Sequence, residues 1–407
     1  MERLRIGATD HRSKETNDNP IPSSSTQDLT NPLAVLPILP DELVNEILKR
    51  LPVKSLSRFK CVSKSWLSLI SSPQFIRDHL EINRDNQRVL IKSYAGSGHS
   101  VKHCSLDCLL SDEISTDVVI NDYPNLEGPL LCITIVGGFD GLVCIRANQN
   151  LFLWNPSTGK SNKLLDLGIK YDNYCAFFGF GYDVINDDYK VVAITCPLDE
   201  YGVAYEVLQF NVYGIKNESW RRVGEYQVGY TRVDVGGSGF FLYAGGIFLN
   251  GKLHWCLRKE EGEFICFFDL ETESFGEIEI PKFDERCDLF FYLFQGSLCM
   301  VCWTGVEYSD VWVMKEYGVG KSWIKMLTIP IDELGMSFIY KLLKTSEDGK
   351  ILLINGPNLA LYNPTDSTFR YLIGLNGPFG PSEFVADACI YIESLISPTA
   401  SDAADRQ

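Results

Sequence analysis

Two series of turns, each recurring at a spacing of about 50 residues, constrain this chain more than any other feature. In the first, a tight turn leads into an apolar strand: Asp140-Gly141-Leu142-Val143, Asp188-Tyr189-Lys190-Val191-Val192, Asn250-Gly251-Lys252-Leu253-His254-Trp255, Gln295-Gly296-Ser297-Leu298 and Asp348-Gly349-Lys350-Ile351-Leu352. Asn-Gly and Asp-Gly signal hairpins because both central residues of a type I′ turn need positive φ. In the second, an aromatic strand runs into a polar turn and a further strand: Trp154 to Lys160, Phe268 to Phe275 and Tyr362 to Phe369, with looser copies from Val212 to Trp220 and from Val311 to Trp323. These turns fall near positions 155, 214, 269, 317 and 363, so five hairpin units are visible.

The expected fold for this body is all β, a β-propeller of six blades. A blade is a four-stranded meander buried on both faces, and its strands read as apolar runs with large aromatics. The sixth blade would combine Val89-Leu90-Ile91, the stretch Val101 to Leu106, and a closing strand from Phe384 to Ile392. A ring closed by both chain ends protects its sheet edges.

Ahead of the body lies a different pattern. From Leu39 to Phe75, three short helical repeats crowd into a segment too small to fold alone. Leu43, Ile47, Leu48 and Leu51 follow Pro40-Asp41-Glu42, residues suited to a first helical turn. Pro52 stops that helix; Leu56, Phe59 and Cys61-Val62 form a second patch, and Trp66, Leu69 and Ile70 a third before Ser72-Pro73 breaks the pattern. No metal-ligand set lies here, so a partner is expected to complete the core.

The order Leu-Pro-Asp-Glu-Leu, Leu-Pro-Val-Lys-Ser-Leu, Arg-Phe-Lys-Cys-Val-Ser-Lys-Ser-Trp and Ile-Ser-Ser-Pro-x-Phe closely resembles an F-box in its plant form. The resemblance implies a small all-α module in which Leu39, Pro40, Leu43, Ile47, Leu48, Leu51, Pro52, Leu56, Cys61, Val62 and Trp66 form or support the face that grips the Skp-type adaptor of a cullin-RING ubiquitin ligase. The body in turn resembles the plant F-box-associated, kelch-like propeller, through Phe178-Gly179-Phe180-Gly181-Tyr182-Asp183, Asn250 to Trp255, Phe267-Phe268-Asp269-Leu270 and Val311-Trp312-Val313-Met314. A strict kelch pattern is not kept, since Gly-Gly doublets occur only at Gly137, Gly236 and Gly245. The expected organisation is a disordered tail over 1–36, an F-box over 37–80, a propeller over 88–396 and a flexible tail over 397–407.

The remaining composition narrows the partners. A formal net charge of −16 argues against nucleic-acid phosphate or anionic membrane and favours a basic protein ligand. No apolar run reaches about 18 residues and the N-terminus lacks a signal-peptide core, so cytosol or nucleus is expected. Thirteen cysteines, many inside apolar runs, fit buried reduced thiols.

Catalytic patterns are weak. His99, His103, Cys104 and Cys108 lack a second paired ligand set. The Cys299-Met300-Val301-Cys302 run lies in an apolar strand with no adjacent helix, and Gly320-Lys321-Ser322 lacks the first glycine of a P-loop. Paired carboxylates such as Asp187-Asp188 read as a solvated turn. No catalytic residue, metal or cofactor is expected. The function expected is a non-catalytic substrate adaptor; a propeller hydrolase or a non-degradative scaffold is the alternative. Substrate contacts are expected in loops from Pro197 to Gly202 and Tyr226 to Gly245, with Tyr201, Tyr230, Arg232 and Tyr243 as candidates.

Overall fold

The computed structural model describes residues 39–95, 98–111, 119–120, 133–168, 174–197, 207–227, 245–259, 262–283, 287–303, 308–330, 339–374 and 384–399. Met1–Val44 and Asn45–Gln407 are its two compact units. The four N-terminal helices are α1 (Asp41–Leu48), α2 (Val53–Phe59), α3 (Lys64–Ser71) and α4 (Pro73–Ile82). Prolines mark two of the starts: Pro40 presents its carbonyl to the Leu43 and Val44 amides, and Pro52 stands at the N-cap of α2. Ser63 and Ser72 cap α3 and α4 through Trp66 N–H (3.1 Å) and Phe75 N–H (3.3 Å). Ser72-Pro73 therefore opens a fourth helix as well as ending the third, because serine is a favoured cap and proline a favoured first residue.

Strands β1 (Gln87–Ala95) and β2 (Gly98–Ser105), a short helix α5 (Leu106–Leu110) and β3 (Val119–Ile120) follow. Five four-stranded meanders then run in chain order. Blade 1 holds β4 (Ile133–Phe139), β5 (Leu142–Ala147), β6 (Asn150–Trp154) and β7 (Ser161–Lys163). Blade 2 holds β8 (Tyr174–Asp183), β9 (Asp188–Pro197), β10 (Val207–Gly214) and β11 (Ser219–Gln227). Blade 3 holds β12 (Ile247–Leu249), β13 (Lys252–Lys259), β14 (Gly262–Asp269) and β15 (Phe275–Ile278). Blade 4 holds β16 (Asp288–Phe294), β17 (Ser297–Trp303), β18 (Tyr308–Met314) and β19 (Trp323–Pro330). Blade 5 holds β20 (Ile339–Thr345), β21 (Ile351–Asn355), β22 (Asn358–Asn363) and β23 (Thr368–Gly374).

The last strand, β24 (Phe384–Ile392), pairs with β1 in register Gln87↔Ile392 and completes a sixth sheet of order β24-β1-β2-β3. The first strands of the blades touch in sequence, β24 to β4, β8, β12, β16, β20 and back to β24, so the ring is closed. This is the six-bladed propeller expected from the turn spacing.

The two turn series have distinct places in it. The first joins the first and second strands of a blade, with φ of 50° and 80° at Asp140-Gly141, 51° and 74° at Asn250-Gly251, and 50° and 75° at Gln295-Gly296. The second joins the third and fourth strands, and a side chain organises each of three of its turns. Asn155 Oδ1 accepts from the Ser157 and Thr158 amides, Asp269 Oδ1 from Glu271 and Thr272, and Asn363 Oδ1 from Thr365. The aromatic that precedes each turn, Trp154, Phe268 or Tyr362, is buried between blades.

Both series leave the ring on one side, the short-turn face. The first strands begin and the fourth strands end on the other side. In blade 6 the first hairpin is missing, because β24 and β1 come from opposite ends of the chain. At that gap α4 enters and the C-terminal segment leaves, which puts α4 on the short-turn face.

Candidate functional site: exposed apolar helices fixed to the propeller

Accessibility divides the apolar residues of the helices into two groups. Leu48, Val53, Leu56, Ile70, Phe75 and Leu80 are buried. Leu39, Leu43, Ile47, Val62 and Leu67 remain 47–61% exposed. Leu43 and Ile47 lie four residues apart on α1, one turn above the other. Six of the sixteen large apolar side chains exposed among the described residues fall between Leu39 and Ile82.

Among the residues assigned from sequence, Pro40, Pro52 and Cys61 are also exposed, and Leu51 and Trp66 are half-buried, with Trp66 edge-on to Phe59 at 5.5 Å. Leu48 and Leu56 are 2% and 0% exposed, so they hold the helices together and are closed to a partner. Leu67 is an exposed residue that periodicity did not single out, because its neighbours Trp66, Leu69 and Ile70 carry the helical pattern. The candidate substrate contacts Tyr201, Tyr230, Arg232 and Tyr243 lie outside the described residues.

Helix α4 ties the turn after α1, Lys49 to Leu51, to the ring. His79 Nε2–H donates to the Leu51 carbonyl (2.9 Å), and Asn83 Nδ2 donates to the Lys49 carbonyl (3.0 Å), which satisfies carbonyls left open beyond the end of α1. Lys49 adds an ion pair to Asp78 at 2.8 Å. Burial lowers the His79 pKa against the opposing pull of the Leu51 hydrogen bond and Glu393, so the imidazole stays neutral. On its other side α4 sinks Leu80 into the apolar cluster of Leu142, Leu153 and Ile396, with Ile76 packed against it. Asn155 Nδ2 pins the C-terminal segment there by donating to the carbonyls of Ser394 (3.0 Å) and Ile396 (2.8 Å).

The other sequence candidates resolve into structural parts. Cys299 and Cys302 are buried in β17, and burial pushes the Cys299 thiol up to about 12. Buried His103 shares a 2.8 Å hydrogen bond with the Tyr391 hydroxyl. Ser322 of Gly320-Lys321-Ser322 closes the β18–β19 turn by bonding both backbone groups of Glu316. No cluster of three or more His, Cys, Asp or Glu suited to a metal occurs among the described residues.

Short N-terminal helices ahead of a six-bladed propeller are the architecture of an F-box protein of the propeller class. Residues 36–78 match the F-box domain model and residues 102–372 the F-box associated beta propeller domain model, so the chain belongs to the F-box-associated propeller family. Among its relatives, the Arabidopsis thaliana F-box/kelch-repeat protein At3g23880 is 32% identical, covering 88% of this chain and 96% of that one. Arabidopsis F-box protein At4g22390 is 28% identical over 88% of this chain and 90% of its own. Arabidopsis F-box protein CPR1 is 30% identical over 79% and 81%.

Proposed function

We propose that this protein is the substrate-recognition adaptor of a Skp-cullin-F-box ubiquitin ligase. The helices dock on the Skp-type adaptor and, through it, on cullin and RING proteins; the propeller holds a target protein for ubiquitination and degradation. The observation that carries the reading is the set of exposed apolar side chains, Ile47 and Leu67 among them, on the N-terminal helices. Burying the exposed half of each such side chain would contribute about 1 kcal/mol, enough for several together to support a specific complex.

Target capture then belongs to the propeller, with Tyr201, Tyr230, Arg232 and Tyr243 as the candidate contacts. Loops on a rigid scaffold are the usual carriers of specificity. The chain itself performs no catalysis in this scheme. It raises the local concentration of a substrate lysine near the ubiquitin-loaded enzyme, which is a matter of proximity. The acidic charge favours a basic target, and the setting is cytosol or nucleus.

Affinity purification with the proteasome blocked tests the reading. Intact protein and a Leu43→Asp/Ile47→Asp variant should recover the same target, ubiquitin-conjugated only with the intact protein. Equal conjugation in both, or a target never conjugated, would favour a non-degradative scaffold.

A further inference from the structure

Two stripes of α4, each at i, i+4 spacing, face different neighbours. Ile76 and Leu80 lie in the apolar cluster that holds Leu142 and Leu153 of blade 1. Phe75, His79 and the C-cap residue Asn83 form the second stripe, which meets the turn after α1. Only Asn83, Arg84, Asp85 and Asn86 separate the helix from β1. The Asn86 and Gln87 amides donate back to the Asn83 and Asp85 carbonyls (3.0 and 2.9 Å), so little slack remains between helix and ring.

His79 is the unusual member of that stripe. It is 1% exposed and stacks on Phe75 at a centroid distance of 6.3 Å, and its Nδ1 has no hydrogen-bond partner among the described residues. A buried ring nitrogen left unpaired is destabilising, so an aliphatic side chain would serve packing better here. What the imidazole supplies and an aliphatic chain cannot is a donor, the Nε2–H that holds the Leu51 carbonyl at 2.9 Å. Asn83 does the same for the Lys49 carbonyl (3.0 Å), while its second proton goes to the His79 carbonyl (2.8 Å). Two backbone carbonyls, two residues apart, are thereby fixed on one helix. Ile47, exposed on α1, stands two residues before the first of them.

We propose that His79 and Asn83 are positioning residues for ubiquitin transfer. By clamping the turn after α1 to a helix seated in blade 1, they set the direction in which an adaptor docked at Ile47 presents the ubiquitin-loaded enzyme to the propeller. This role rests on the adaptor reading and adds to it that orientation, as well as binding, decides which lysines are reached.

The test compares the full chain with His79→Leu, with half-buried Asn83→Ala, which keeps the test decisive if His79→Leu does not fold, and with His79→Gln, whose amide retains an N–H for the Leu51 carbonyl. In a weakly aligned sample, residual dipolar couplings of the Ile47 methyls should fall at least about twofold in His79→Leu and Asn83→Ala, with those of Leu352 in blade 5 unchanged. In a reaction reconstituted with adaptor, cullin, RING protein and the activating and conjugating enzymes, the chain's own exposed lysines serve as acceptors. Lys160 and Lys163 of blade 1 stand across the ring from Lys321 and Lys325 of blade 4. The ratio of conjugation at the two pairs should change at least about threefold in Asn83→Ala and return to the unaltered value in His79→Gln, with affinity for the adaptor unchanged throughout. Couplings or a ratio that stay the same in Asn83→Ala would overturn the role alone, as would a His79→Gln that behaves like His79→Leu. No conjugation by an adaptor-bound unaltered chain would sink the adaptor reading with it.

Discussion

Ile47 and Leu48 are neighbours on α1 with opposite surroundings, 51% and 2% exposed, and substituting each separates docking from folding. In Ile47→Asp, the exposed half of an isoleucine is lost to the interface, about 1 kcal/mol. An aspartate there must also be desolvated without a partner, at a further cost of about 2 kcal/mol or more. Together about 3 kcal/mol weakens binding to the purified Skp-type adaptor by about a hundredfold in isothermal titration calorimetry. Stability should move by no more than about 0.5 kcal/mol, as for other surface changes. Leu48→Ala should do the reverse first: a buried leucine truncated to alanine costs about 2–5 kcal/mol of fold stability. An Ile47→Asp protein that binds the adaptor within about threefold of the unaltered one would refute the assignment of α1 to the interface.

Three further outcomes follow from the same geometry. His254 is fully buried, donates Nδ1–H to the Ile247 carbonyl (3.0 Å) and accepts from the Tyr317 hydroxyl at Nε2 (2.8 Å); burial lowers its pKa to about 4. Its folded pKa lies below the unfolded value of about 6.5, so stability should be level above that pH and fall by about 3 kcal/mol as the pH drops toward 4; an imidazole titrating near 6.5 by NMR would contradict this. Lys190→Met strands Asp183, whose side chain is wholly buried, and should cost about 3–5 kcal/mol in urea unfolding; a loss below about 1 kcal/mol would show the pair to be dispensable. Iodoacetamide followed by peptide mapping should mark exposed Cys61 well before buried Cys266, whose thiol burial pushes up to about 12, and bound Skp-type adaptor should protect Cys61.

Much of the ring was legible because its turns are chemically demanding. Asp140-Gly141, Asn250-Gly251 and Gln295-Gly296 announce positive φ, and the Asx residues Asn155, Asp269 and Asn363 organise turns through their own side chains. The blade 2 hairpin, Val184 to Asp187, has no glycine, and sequence marks it only by the strand that follows. The helical segment was legible as apolar periodicity, yet periodicity cannot separate a residue that packs inward from one left exposed: Leu48 and Ile47 look alike until their neighbours are known. Long-range placements were the least visible. The buried carboxylate of Asp188 depends on Gly214 and Lys216 from another strand pair, and the seat of Leu80 beside Ile396 joins residues from opposite ends of the chain.

Ubiquitin transfer in a reconstituted reaction tests the central claim most directly. With the Skp-type adaptor, cullin, RING protein, activating and conjugating enzymes and the target recovered by affinity purification, this protein should drive ubiquitin onto that target. Ile47→Asp should bind the target equally well and support little transfer. Equal transfer with and without the docking surface, or none when both partners are demonstrably bound, would contradict the adaptor function.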